Sequence, residues 1–323
     1  MIPTLTAGSA LVACVQSLQL QTRNDFEVII VDNSGQGLVR GLDLRARVIE
    51  NKNNAGFGGA INQGIRASKA PFVATLNDDA VARPEWVDAL LRAASDAPDI
   101  GMCASRVLLG PDGPIDSAGM LLASDGSSKQ RGHGQPPSAY PSQEDVFFPS
   151  GSAALYRRKM LDEIGLFDDD FFLYCEDTDL GLRGRWSGWR CLYVPDAVVE
   201  HRYSQSAGRA SALKAYLVER NRLWMAVKLF PMSMLWKVPF LSVMRYLWHL
   251  AAIRGGTGVT AEYARTGNPL QLPWFVLKAH LATLAAVPAL LRKRQKVIRK
   301  LNGTEFRDLA QRHSISLKQV AAL

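Results

Sequence analysis

Two short apolar runs constrain this 323-residue chain more than any other feature. Val28-Ile29-Ile30-Val31 runs straight into Asp32, and Phe72 to Leu76 runs straight into Asn77-Asp78-Asp79. Neither run alternates polar with apolar, and both are too short for a buried helix, so each reads as a strand covered on both faces. Such strands belong to an α/β sheet whose crossover helices supply the cover. Helical spacing lies where that cover is needed: Leu11, Val15 and Leu18 precede the first strand, and Val87, Leu90, Leu91 and Ala94 share one face of a helix begun at Pro84. Between the strands, the glycine-rich stretch Asn53 to Gly59 opens a helix through Ile61 and Ile65.

Further along, residues 110–145 are rich in Gly, Ser, Pro, Asp and Gln and read as a long surface excursion. A short helix from Met160 to Ile164 stops at Gly165. An aromatic, acidic segment, Phe167 to Leu180, then leads into a helix predicted from Glu176 to about Trp186. Arg190 to Val194 and Ala197 to Val199 read as closing strands that deliver Glu200 and His201. No internal repeat appears.

Charge divides the chain in two. Residues 1–200 carry 18 basic and 26 acidic side chains, and residues 201–323 carry 20 basic and only 4 acidic ones. An acid-rich half suits cations; a basic half attracts phosphates or an anionic surface. Boundaries are expected at 1–210 for a catalytic domain and 211–323 for a helical, basic and aromatic region. In that second region the longest charge-free run, Ala279 to Leu291, is shorter than the ~20 residues a spanning helix needs, which disfavours a transmembrane segment. Helices lying in the membrane interface fit better, anchored by Trp224, Trp236, Trp248 and Trp274 and followed by Arg292, Lys293, Arg294, Lys296, Arg299 and Lys300. Nucleic acid is an unsuitable partner, because the aromatics sit in long apolar runs and do not alternate with basic residues. Cys14, Cys103, Cys175 and Cys191 are widely spaced without a CxxC pair, and are expected to be reduced and mostly core. The N-terminus carries no secretory pattern, so a cytoplasmic placement is expected.

Asp32, Asp78 and Asp79, and Glu176 and Asp177 all fall where strands should end or helices begin, with His201 after a further strand. Ligands of open α/β sheets bind at such carboxyl ends, so these groups are predicted to share one cleft. Two carboxylates and an imidazole suit Mg²⁺ or Mn²⁺, and a metal there would hold a diphosphate.

These segments together resemble a family 2 glycosyltransferase of the GT-A fold, an inverting, nucleotide-sugar-dependent enzyme, in its bacterial rhamnosyltransferase-like branch. The resemblance rests on Ile2-Pro3-Thr4, Val31-Asp32-Asn33-Ser34, Asn54 to Gly64, Leu76 to Asp79, Gly151-Ser152-Ala153 and Phe172 to Leu180, in family order across residues 2–201. It implies a Rossmann-like, mostly parallel sheet. It also implies that Asp32 reads the nucleobase, that the loop bearing Asn54, Gly56 and Gly58 approaches nucleotide and sugar, and that Asn77 and Asp78 lie beside ribose and diphosphate. By the same resemblance Asp79 and His201 bind a divalent metal, and Asp177, with Glu176 beside it, supplies the general base. Two departures stand out. Asn77 replaces the first carboxylate of the usual DxD triplet, and only Met1 precedes Ile-Pro-Thr, so the first strand is expected to be nearly absent and the natural start to lie upstream.

The expected function is transfer of a sugar, rhamnose among the candidates, from a nucleotide donor to a polyprenyl-diphosphate-linked glycan or polysaccharide precursor, at the cytoplasmic face of a bacterial inner membrane. Competing readings are a catalytically silent GT-A scaffold or binding protein, and, for the helical third, a cap on the catalytic domain or a homo-oligomer contact. A nucleotidyltransferase would need a basic triphosphate cradle near the first strand, which the sequence lacks.

Overall fold

A computed structural model of the chain describes residues 1–201, 212–256, 258 and 271–323. In chain order the first elements are β1 (Ile2–Thr4), α1 (Ser9–Gln19), β2 (Ile29–Asp32), β3 (Arg47–Glu50), α2 (Gly56–Ala67), β4 (Phe72–Leu76), β5 (Ala80–Ala82), α3 (Trp86–Ser95) and β6 (Ile100–Leu109). There follow β7 (Ile115–Ser117), β8 (Met120–Leu122), β9 (Ser128–Gln130), β10 (Glu144–Val146), β11 (Ala153–Arg157), α4 (Arg158–Ile164), α5 (Glu176–Trp186) and β12 (Arg190–His201). The helical remainder comprises α6 (Ala212–Leu229), α7 (Met232–Leu235), α8 (Val238–Gly255), α9 (Leu272–Gln295), α10 (Gly303–Arg312) and α11 (Leu317–Ala322).

The chain divides into two compact units, Met1–Met120 with Gln130–Ser204, and Leu121–Lys129 with Gln205–Leu323. In the first, β1, β2 and β3 pair in parallel, and β2 is buried along its whole length, as its unbroken apolar run requires. β1 does form, although only Met1 precedes it: Ile2 pairs with Ile30, and the Met1 carbonyl accepts from Leu76 N–H at the edge of β4. A seven-stranded sheet runs β10-β12-β6-β11-β4, with β5 on β12 and β7 on β6.

That sheet corrects the expectation of mostly parallel strands. β6 and β12 are parallel, whereas β11 enters antiparallel between β4 and β6, and β5, β7 and β10 also pair antiparallel. β11 is reached through hairpins without a crossover helix, so nothing enforces a parallel return. The two closing strands are in fact one, β12, with its register shifted between Val194 and Val198, around Pro195. A proline cannot donate to the ladder, which is why the pairing breaks there.

Residues 110–145 are likewise not a surface excursion. Ile115, Asp116, Ser117 and Ala118 are all buried, carried inward by pairing of β7 with β6. Two apolar clusters flank the sheet: one built on α1, α3 and the β2–β4 strands, the other on Ile61, Tyr156, Leu180 and Trp189. Cys14, Cys103 and Cys191 are free and buried, and Cys175 is partly buried.

The second unit is organised around buried charge. Asp125, from the turn between β8 and β9, meets Arg245 of α8 at 2.7 Å and Arg222 of α6 at 3.5 Å. Glu219 accepts from both arginines and from the Tyr246 hydroxyl. Outside this core, α9 spans 24 residues with three charges confined to its last turn and Lys278 near its start, and is long and apolar enough to cross a membrane by length and composition. Trp236 is 70% and Trp274 58% exposed, whereas Trp224 lies partly buried under the Arg220 guanidinium at 4.3 Å and is not a free anchor.

Candidate active site

Register places the site. Ala153 at the head of β11 pairs with Leu76 at the end of β4, so Ser150 to Ser152 run beside Asn77 to Asp79. Asn77 N–H donates to the Ser152 carbonyl at 2.8 Å, and Gly151 N–H donates to Asp177 Oδ2 at 3.0 Å. The acidic turn after β4 and the carboxylate at the start of α5 are thereby tied to neighbouring residues of one strand entry. Gly151 is required there: a Cβ would stand 3.2 Å from the Phe57 ring and 3.4 Å from Asp177 Cβ.

Asp177 also accepts from Thr178 N–H at 2.6 Å. Burial pushes its pKa up, opposed by these amide donors. A partly buried carboxylate with an elevated pKa can accept a proton. Glu176 sits differently. It is 6% exposed, its side chain lies beneath Gly58 of α2, and Oε2 has no hydrogen-bond partner; burial, then the neighbouring Asp177, holds its pKa well above the ordinary range.

His201 at the end of β12 closes the other side. Pairing of β12 with β5 sets His201 opposite Ala80, so its Nε2 lies 3.2 Å from Asp79 Oδ1 and 3.3 Å from Asn77 Nδ2. Its Nδ1 lies 2.9 Å from Asp116 Oδ2. Burial would lower the His201 pKa, but Asp116 and Asp79 overcome it and raise it to about 9. Asp116, in turn, is held at about 2: burial opposes its ionisation, and the two imidazoles of His133 and His201 outweigh burial. Sequence reasoning missed Asp116 and His133. A lone aspartate in a Gly/Pro-rich stretch carries no periodic signal, and its partner stands 85 positions away.

The divalent cation implied by the acidic turn fits these residues. Both Asp79 carboxylate oxygens are buried and neither accepts a hydrogen bond, while His201 Nε2 faces one of them. Among the described residues no group of three or more His, Cys, Asp or Glu side chains forms a full cage. Two protein donors suit a cation such as Mg²⁺, which takes one or two carboxylates together with substrate phosphates. Asp78 is turned away to β1, accepting from Thr4 Oγ1 at 2.6 Å, and burial raises its pKa.

The remaining expected residues hold the loops that follow β2 and precede α2. Asp32 is 1% exposed and accepts from Ser34 and Val39 amides, both at 3.0 Å, so its carboxylate is committed to folding the loop after β2. Burial would raise its pKa, and those amides with the Ser34 hydroxyl hold it below the usual range. Asn54 Oδ1 accepts from Gly56 N–H at 2.8 Å, and Asn33 Nδ2 donates to the Gly56 carbonyl at 3.0 Å. Gly56 has φ +74°, and a Cβ there would stand 2.2 Å from the Phe172 carbonyl oxygen; a Cβ on Gly58 would stand 3.0 Å from Phe167. At both glycines the space a side chain would need is taken up by the 167–172 segment. They let α2 carry that segment, and Asn62 Nδ2 fixes it further through Asp169 Oδ1 at 2.6 Å.

Comparison with known proteins agrees with this geometry. The profile of "Glycosyl transferase family 2" matches residues 1–165. The chain is 32% identical over 258 residues, 68% of its length and 84% of the relative's, to an N-acetylglucosaminyl-diphospho-decaprenol L-rhamnosyltransferase of Mycobacterium tuberculosis. It is 28% identical over 222 residues, 67% of its length and 44% of the relative's, to a pre-mycofactocin glycosyltransferase of the same species. Among solved structures it resembles GalNAc-T7 with UDP, GalNAc and Mn²⁺, at TM-score 0.57 and 14% identity over 86% of this chain and 53% of that one. It also resembles the mannosyltransferase PcManGT of Pyrobaculum calidifontis with GDP-Man and Mn²⁺, at TM-score 0.50 and 16% identity over 92% of this chain and 83% of that one. These likenesses show the GT-A fold. With a strand-end acidic turn, an α5 carboxylate and a matching profile over half its length, the chain belongs to glycosyl transferase family 2.

Proposed function

We propose that this glycosyltransferase moves a sugar from a nucleotide-diphosphate donor to a lipid-linked glycan, with inversion at the anomeric carbon. The observation that carries the reading is the tie between Asp177 and the acidic turn through Gly151 and Ser152, which sets a base and an anion-handling turn on either flank of one strand entry. Asp177 takes the proton of the acceptor hydroxyl as that oxygen bonds to the anomeric carbon and the bond to the diphosphate breaks; such base catalysis contributes typically ~10² to 10⁴ in rate. Asp79 and His201 would hold a divalent cation, which supplies charge neutralisation for the departing diphosphate when bound. The Asn54–Gly59 and Asp32–Val39 loops form the nucleotide-facing rim, held in shape by Asn33.

The mycobacterial relative, whose name specifies a decaprenyl-diphosphate-linked acceptor, supports a lipid acceptor. So does the second unit. Phe240, Val243, Leu247 and Leu250 of α8 and Leu277, Leu281 and Leu284 of α9 are exposed apolar side chains at helical spacing, and the basic residues 292–300 follow directly. Large exposed apolar faces bordered by cations suit the surface of an anionic bilayer, on its cytoplasmic side. A screen of nucleotide sugars, following nucleoside diphosphate release with bacterial lipid extract and with Mn²⁺, Mg²⁺ or chelator, tests the whole reading. Release that needs both lipid and cation is expected; no release with any donor, or release undiminished in Asp177→Asn, favours a silent scaffold.

A further inference from the structure

We propose that Asp116 is a positioning residue of the cation site, holding His201 by Nδ1 so that Nε2 is delivered to Asp79. This rests on the cation-binding reading of Asp79 and His201 given above.

Asp116 sits in the middle of β7, buried, with one imidazole on each carboxylate oxygen. His201 Nδ1 lies 2.9 Å from Oδ2, and His133 Nδ1 lies 3.2 Å from Oδ1. His133 Nδ1 is also 3.2 Å from the Asp116 main-chain oxygen, where its hydrogen bond goes, while Oδ1 has no hydrogen-bond partner. The hydrogen bond that orients the Asp116 carboxylate is therefore the one between Oδ2 and His201 Nδ1. The strand ladder adds to the constraint: β7 pairs with β6 through Val107 opposite Ser117, and β6 pairs with β12 through Leu109 opposite His201. Donor and acceptor are thus fixed by backbone pairing on both sides.

The chemical consequence concerns the tautomer. An ionised carboxylate only accepts, so when a cation takes Nε2 the remaining hydrogen of His201 stays on Nδ1, toward Asp116. Nε2 is the nitrogen 3.2 Å from Asp79 Oδ1, whose carboxylate has no other partner. Carboxylate–histidine pairs of this kind orient metal-bearing imidazoles, and their loss typically costs about 10- to 100-fold in metal affinity. A purely structural role, in which Asp116 only fastens β7 to β12, would instead show as lost stability with cation affinity intact.

The test titrates the full chain with Mn²⁺ alone, reading the free aqua ion by electron paramagnetic resonance, for wild type, Asp116→Asn, His133→Gln and His201→Ala, with thermal unfolding alongside. Mn²⁺ affinity about 10- to 100-fold lower in Asp116→Asn, with unfolding near wild type and a smaller loss in His133→Gln, is expected. Wild-type Mn²⁺ affinity in Asp116→Asn, when His201→Ala has lost it, overturns the proposal while leaving the cation site standing. Unchanged affinity in His201→Ala overturns the cation reading and this proposal with it. Should Asp116→Asn unfold, ¹⁵N-histidine spectra of the Mg²⁺-loaded wild type decide: a hydrogen on Nδ1 with Nε2 bare supports the assignment, and the opposite tautomer defeats it.

Discussion

At the scale of single residues, the site separates two adjacent carboxylates by what each touches. Asp177 accepts from the Gly151 and Thr178 amides and is only partly buried, while Glu176 turns under α2 with an unpartnered oxygen. We therefore expect Asp177→Asn to lower turnover by about 10² to 10⁴ with donor binding retained, measured by sugar transfer and by nucleotide-binding titration. Burial raises the Asp177 pKa, so the base is lost as pH falls through a value above the ordinary 3.8, and the acid limb of the kcat profile should lie on that side. Gly56 offers a stability counterpart. Gly56→Ala forces a side chain to φ +74° against the Phe172 carbonyl, and we expect a loss of at least about 1–3 kcal/mol by chemical denaturation. Motif order singles out Asp177 and Asp79 in the sequence. That Asp32 accepts from the Ser34 and Val39 amides was not legible, because a strand-end aspartate looks the same whether it caps its loop or stands free of it.

At the scale of elements, the strands and helices with strong local signals were legible: β2, β4, α3 and α5 all lie where apolar runs, proline and acidic first turns place them. β7 was not, because its burial comes from pairing with β6 and its three residues carry no pattern of their own. The charged core of the second unit was equally hidden, since Asp125 lies about a hundred positions from Arg222 and Arg245. Removing one partner of a buried ion pair typically costs about 3–5 kcal/mol, and we expect a loss of that order in Glu219→Gln, read by urea unfolding. Acid should act in the same direction. Burial resists ionisation of Glu219, but Arg222, Arg245 and the Tyr246 hydroxyl hold its pKa below 4.5, so its contribution is complete above that value and fades as pH drops beneath it. His249 is lowered to about 4, chiefly by burial and then by Arg245 and Lys129; the unfolded chain takes up a proton near 6.5 and the folded chain does not. Stability should thus decline from about pH 6.5 downward before carboxylates titrate, and His249→Gln should flatten that first step.

At the scale of the whole molecule, the proposed function gives the acid-rich unit the sugar transfer and the basic, aromatic helical unit the contact with an anionic surface. The exposed faces of α8 and α9 and the cluster at residues 292–300 should bring the full chain to the top of a gradient with anionic liposomes, less so at high salt, since each cation near an anionic surface is worth about 1 kcal/mol. Leu281→Glu with Leu284→Glu should leave the protein at the bottom, and undiminished flotation of that variant would argue against α9 as the contact. What composition could not foretell is how the two units share one chain.

That sharing has a consequence for modularity. The turn bearing Asp125 is encoded inside the catalytic stretch yet folds with α6 and α8, so the polypeptide crosses from one unit to the other and back before its final crossing. Cutting after the last catalytic strand would strand a buried aspartate without its arginines and leave Glu219 as the carboxylate shared by those two arginines. The helical unit is therefore not a tail that can be clipped off or exchanged between relatives in one splice; any functional graft must carry Leu121–Lys129 with it.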